Sequence, residues 1–205
     1  MLRSALLTSL AVAAGPGSAA ARPFTLDNSV STVAFRAHQD LLGHTDGLFQ
    51  RFDATFNLDE QDLSSSRFEV RVDTASIDTN NGKRDDHLRK EDFFDVERHP
   101  TAIFSASAVH VTEGGVKVTG EFTLKGKSVP LELPLELEWS TTRKRRWVRA
   151  RGSFVVDRFA IGIGYKTPFY IPNVDKEVEI NIDVRAWAPI EAKTATVSGT
   201  RATRG

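Results

Sequence analysis

The sequence contains no cysteine among its 205 residues. That excludes disulfide staples, thiol catalysis, Cys-ligated zinc and thiolate-bound iron–sulfur clusters. It carries no net charge, with 27 basic and 27 acidic side chains, so no nucleic acid is expected as a partner. It has no Gly-x-Gly-x-x-Gly, no phosphate-loop motif and no Gly-x-Ser-x-Gly elbow, the usual marks of dinucleotide, nucleotide and hydrolase sites. The five histidines, His38, His44, His87, His99 and His110, are scattered rather than spaced as metal ligands, and no metal is expected. No apolar run approaches the ~20 residues of a membrane-spanning helix.

What is present begins with an address. Arg3 is followed by a short uncharged apolar run from Leu6 to Ala14, a Gly15-Pro16-Gly17 break, and Ala19-Ala20-Ala21. This order is that of a secretory signal peptide cut near Ala21. The expected organisation is a signal peptide over 1–21, one domain over 22–188 and a flexible tail over 189–205. A periplasmic or secreted location follows.

Beyond residue 22, apolar and polar residues alternate in eight segments. They centre on 33–37, 48–58, 68–72, 102–108, 116–124, 129–137, 148–156 and 178–184. In the second, Leu48, Phe52, Ala54, Phe56 and Leu58 are read as one face and Phe49 as the other. Alternation with period two marks strands with one buried face, so an antiparallel sheet is predicted. Glu113-Gly114-Gly115 and Lys125-Gly126-Lys127 read as tight hairpins. The fold class is all-β: an eight-stranded antiparallel lipocalin-like barrel, since closure removes exposed edges. A sandwich satisfies the same alternation. Between the third and fourth strands, 80–95 has helical composition. Asn80 or Asn81 caps it, Asp85 and Asp86 sit early, Arg89 and Lys90 sit late, and Phe93 and Phe94 pack behind.

Many inward positions are small: Ala37, Ala54, Ala102, Ala106, Ala108, Gly120, Ala150 and Gly152. An eight-stranded barrel either fills with side chains or holds one small ligand. Small inward residues favour a lumen, although they could equally offset neighbouring phenylalanines in a solid core. The candidate lining is Phe35, Phe52, Phe56, Phe68, Phe104, Phe122, Leu133, Phe154 and Ile180. Such a wall suits a hydrocarbon chain, each CH₂ contributing about 0.8 kcal/mol on burial. Residues 157–175 form a long apolar connection holding both tyrosines. It adds Phe159, Ile161, Tyr165, Phe169 and Tyr170 as mouth-loop candidates.

The ordered string Ser76-Ile77-Asp78-Thr79, Arg84-Asp85-Asp86-His87-Leu88-Arg89, Asp92-Phe93-Phe94-Asp95, His99-Pro100-Thr101-Ala102 and Phe104 resembles the YceI-like family of secreted lipid-binding barrels. Gly120–Gly126 and Asp157–Gly162 continue the resemblance, which spans 24–188. One departure is Val30, where the family often has histidine. The resemblance implies a lipocalin-like barrel with an apolar lumen and no catalytic residues. It implies a long-chain apolar lipid as ligand: a polyisoprenoid or isoprenoid quinone, or a fatty acid or amide. No other cofactor is expected. Homodimers occur among such proteins.

Head-group candidates are Arg84, His87 and Arg89, since a guanidinium can pair with phosphate or polarise a quinone oxygen. The same residues could instead fix the helix to the barrel. Arg143 to Arg151 holds six basic residues in nine, with Trp147. It could touch an anionic membrane surface peripherally, or simply be a solvated hairpin. Two other functional classes remain: a hydrolase using His87 with Asp85 or Asp86, and a protein-interaction module with a packed core.

Overall fold

The computed structural model describes residues 21–39, 43–164 and 174–190. All but the last residue of the expected signal peptide and most of the expected tail lie outside them, as do Tyr165, Phe169 and Tyr170. In chain order the elements are β1 (Arg22–Leu26), β2 (Thr32–Gln39), β3 (Gly43–Phe49), β4 (Phe52–Leu58), β5 (Arg67–Asp73), β6 (Ile77–Asp78), α1 (Gly82–Leu88), β7 (Thr101–Thr112), β8 (Gly115–Leu124), β9 (Lys127–Thr141), β10 (Arg145–Asp157) and β11 (Val174–Pro189). Every pairing is antiparallel, and the ladder closes on itself through β11.

The segments form an eight-stranded closed barrel because three of its staves are broken strands. β11 pairs with β1 at Ala186 and Trp187 and with β2 from Val174 to Asp183, so β1 and β2 share one edge. β2 pairs with β3 and β1 with β4, while β3 meets β6 and β4 meets β5. The first break is an Asx turn: the Asp27 carboxylate accepts from Ser29 N at 3.2 Å and Ser29 Oγ at 2.6 Å. Val30 stands exposed on this turn.

The second break corrects the predicted alternation. Leu48 is 38% exposed, whereas Phe49 faces the interior together with Phe52. Gln50 and Arg51 flip the parity. Gln50 N donates to Ser76 O at 3.1 Å and Arg51 N to Ser76 Oγ at 3.0 Å. A second slip occurs in β7, where the register shifts between Ala106 and Ala108. Past this bulge Val109, not Ala108, is the buried residue. The hairpin expectations agree with the backbone: Lys125 and Gly126 both have positive φ, as a type I′ turn requires.

β9 pairs with β8 from Lys127 to Glu136 and with β10 only from Glu136 to Thr141. Pro130 and Pro134 have no N–H to offer that neighbour. Where the ladder stops, Ile161 and Ile163 of the turn after β10 join Ala102, Leu124 and Val156 in one buried cluster.

Helix α1 lies across the end where β2 and β10 finish. The Asn81 side chain accepts from Arg84 N at 3.2 Å and caps it. Asp85, buried, accepts from Thr79 N at 3.0 Å and Thr79 Oγ1 at 2.5 Å. Arg89 donates Nε to Ala75 O at 3.0 Å and Nη2 to Ile77 O at 2.9 Å. These bonds strap the helix to the corner between β5 and α1.

Candidate functional site: an apolar lumen

The inward faces of the staves enclose a cavity of about 340 Å³. This is at the lower end of the range for small-molecule sites. Its far end, opposite α1, is closed. The Phe24 and Trp139 rings meet edge-on at 5.9 Å, with Phe24, Val148, Ala186 and Ala188 forming a buried cluster. Outside them Arg22 and Arg146 converge on Glu60, at 2.5 and 2.6 Å. Burial would raise the Glu60 carboxyl, but hydrogen bonds from Arg22 and Arg146 outweigh it and hold the group below its ordinary value. Arg146 also lies 4.9 Å over the Trp139 ring.

The middle is an aromatic belt. Phe56 and Phe68 lie 6.1 Å apart, and Phe68 and Phe104 6.0 Å. Of the residues proposed from sequence, Phe35, Phe52, Phe56, Phe68, Phe104, Phe122, Leu133, Phe154, Ile161 and Ile180 line the lumen. Phe159 does not: it is half-buried beneath the Arg158 guanidinium, 4.0 Å from its ring centre. Of the small residues predicted to face inward, Ala37, Ala54, Ala102 and Ala150 face the open space, whereas Ala106 and Ala108 are not in the lining. Gly120 makes no room, because the Phe104 ring and Ser105 O already occupy the place of its missing Cβ, at 2.6 and 2.4 Å. Gly152 is likewise met by Pro134 O at 2.2 Å.

Sequence reasoning missed Phe49, Phe93, Phe94 and Trp139, all in the lining. The parity flip hid Phe49. Phe94 stacks edge-on against Phe49 at 5.7 Å, so the pair after α1 faces the lumen rather than only backing the helix.

Among the described residues the polar lining is Gln39, Thr45, Ser66, Arg84 and Arg158, with no carboxylate. All but Ser66 sit at the helix end. Arg84 leans on Thr79, donating Nε to Oγ1 and Nη2 to the carbonyl, both at 2.8 Å. His87 and Arg89 lie outside the lining. The His87 ring packs edge-on against Phe93 at 4.8 Å, and Arg89 is committed to the backbone and to Asp86. The hydrolytic set is not assembled either, since Asp85 is turned to Thr79 and Asp86 to Arg89. Among the described residues no cluster of His, Asp or Glu could hold a metal ion, and no helix is long and apolar enough to cross a membrane.

Most of the basic stretch is spent within the barrel wall. Arg146 pairs with Glu60, Arg149 with Asp183, and Arg151 with Glu138. Arg145 lies 3.9 Å over Trp187.

Fold and site together define a closed antiparallel barrel with an apolar interior and a polar rim beside its helix. The family model of the YceI-like domain matches residues 24–186, and the chain belongs to that family. It is 34% identical over 141 residues to a UPF0312 protein of Pectobacterium atrosepticum, covering 67% of this chain and 73% of that one. It is 32% identical over 123 residues to protein YceI of Escherichia coli O157:H7, covering 59% and 64%. Among solved structures it is similar to BcnA of Burkholderia cenocepacia, with a TM-score of 0.71 and 25% identity over 78% of this chain and 98% of that one. The fold is also shared with a polyisoprenoid-binding domain from Saccharophagus degradans, with a TM-score of 0.59 and 13% identity over 81% and 98%. Val30, the departure from the family pattern, is on the outer turn and not in the lumen lining.

Proposed function

We propose that this protein is a carrier that encloses one long-chain apolar lipid, of polyisoprenoid type, inside its barrel. The observation that carries the reading is the lumen: a cavity of about 340 Å³ walled by phenylalanines and aliphatic side chains, closed at Trp139 and, among the described residues, free of carboxylates. Binding would come from desolvating the chain, each CH₂ contributing about 0.8 kcal/mol. The Saccharophagus domain, described as polyisoprenoid-binding, supports the ligand class. The leader-like residues 1–21 support action in the periplasm or outside the cell, where a water-insoluble lipid needs an enclosing carrier.

Narrowing the lumen tests this. Ala54→Phe and Ala150→Phe each place a ring in the open space. Both variants are expected to fold and to lose most of the capacity for a fluorescent long-chain lipid probe. Unchanged stoichiometry and affinity in both would sink the reading.

A further inference from the structure

The polar side chains at the helix end form one connected arc. Arg158 donates Nε to Asp175 O at 2.9 Å, Nη1 to Ile163 O at 3.1 Å and Nη2 to Val174 O at 2.8 Å. Val174 is the register partner of Gln39. Gln39 Nε2 donates to Thr45 Oγ1 at 3.1 Å. Two residues along β3, the place of a Cβ on Gly47 lies 2.9 Å from Thr79 Cγ2. Thr79 in turn holds Arg84.

Two features of this arc call for an occupant. First, among the described residues both guanidiniums are bonded to neutral oxygens, carbonyls and a hydroxyl, and the lumen lining offers two arginines and no carboxylate. A partly desolvated cation gains most from an anionic acceptor. Burial pushes the Arg158 guanidinium down from its ordinary value, and Asp157 and Asp175 oppose this only through space. Second, among the described residues donors remain. A guanidinium has five N–H groups, of which the Arg158 bonds above use three and the Arg84 bonds two.

We propose that this arc is the head-group subsite of the lumen and that it takes an anionic oxygen group, a phosphate or a carboxylate, at the end of the long chain. The inference rests on the lumen being a lipid site and adds polarity to it. The head lies between Arg158 and Arg84, and the chain runs toward Trp139. The reverse orientation would bury an anion against the Phe24–Trp139 closure, at a large desolvation cost.

The test uses the full chain and four probes: a polyprenyl phosphate and its polyprenol, and a fatty acid and its alcohol, each pair matched in chain length. Each competes against a fluorescent long-chain probe. At least one anionic probe is expected to bind about tenfold or more tighter than its alcohol, and which one identifies phosphate or carboxylate. Arg84→Gln is expected to shrink that ratio several-fold by weakening the anionic probe more than its alcohol, and Arg84→Lys to retain part of it. Arg158→Gln is expected to do the same. Because Arg158 also holds three carbonyls, the Arg84 variants decide the matter if Arg158→Gln fails to fold. Equal affinity for anion and alcohol in the unaltered protein would overturn the subsite and leave the lumen reading standing, as would a ratio that Arg84→Gln does not change. Failure of all four probes to bind would overturn the lumen reading itself.

Discussion

At the scale of single residues, two carboxylates hold the ends of the barrel. Glu60 at the far end receives Arg22 and Arg146. Its folded-state pKa is depressed, so its contribution is present above the ordinary glutamate value and is lost as pH falls through the depressed one. Glu60→Gln is therefore expected to cost about 1–2 kcal/mol at neutral pH. Urea titrations of the two proteins should converge as the pH drops through that window. A difference that stays constant with pH would contradict the assignment. Asp85 at the helix end is buried against Thr79. Asp85→Ala leaves the Thr79 N–H and hydroxyl without their acceptor and should cost about 2–3 kcal/mol in thermal or urea unfolding. An unaltered midpoint would show that α1 is not held there. Residue identity was readable from sequence where chemistry repeats, as at the Asn81 cap. It was not readable where a neighbour decides. Gly120 and Ala54 look alike as small inward residues, yet Phe104 covers one and open space faces the other.

At the scale of elements, alternation located every barrel stave but not the breaks within them. Periodicity of two reports which side a residue faces only while the strand stays regular. At Gln50–Arg51 the strand kinks, and Phe49 and Phe52 end on the same side. The kink is set by Ser76, which comes from elsewhere in the chain: its Oγ accepts from Arg51 N and donates to Asp73 O at 2.6 Å. No local pattern near residue 50 encodes that partner. Ser76→Ala removes a buried hydroxyl serving two strand breaks and is expected to cost about 1–3 kcal/mol. Urea titration checks this, and an unchanged midpoint would mean that the kink is held by other contacts. The β7 bulge at Ser107 exchanges Ala108 for Val109 in the same way. The short strand β1 escaped notice because Pro23 interrupts its pattern. Pro130 and Pro134, by contrast, are visible in sequence, and they fall where β9 has no ladder to β10.

At the scale of the whole molecule, closure and emptiness come from the same residues. Long strands β7 to β11 supply the wall, broken strands β1 to β6 bend around to meet β11, and α1 with the 158–164 turn crosses one end. Alanines at 37, 54, 102 and 150 leave volume that the phenylalanines do not fill. The barrel, its helix and ten of the lining residues were legible in the sequence. The asymmetry of the lumen was not, because it depends on Gln39, Thr45, Arg84 and Arg158 converging from four separate segments. The central claim is that the lumen is a binding site for a long apolar chain. Organic extraction and mass spectrometry of the purified, never-unfolded protein test it most directly. The expected result is one long-chain lipid recovered at near one molecule per chain, and its absence from Ala54→Phe prepared in parallel. Recovery of no lipid, together with no uptake of added long-chain lipid by the extracted and refolded chain, would contradict it.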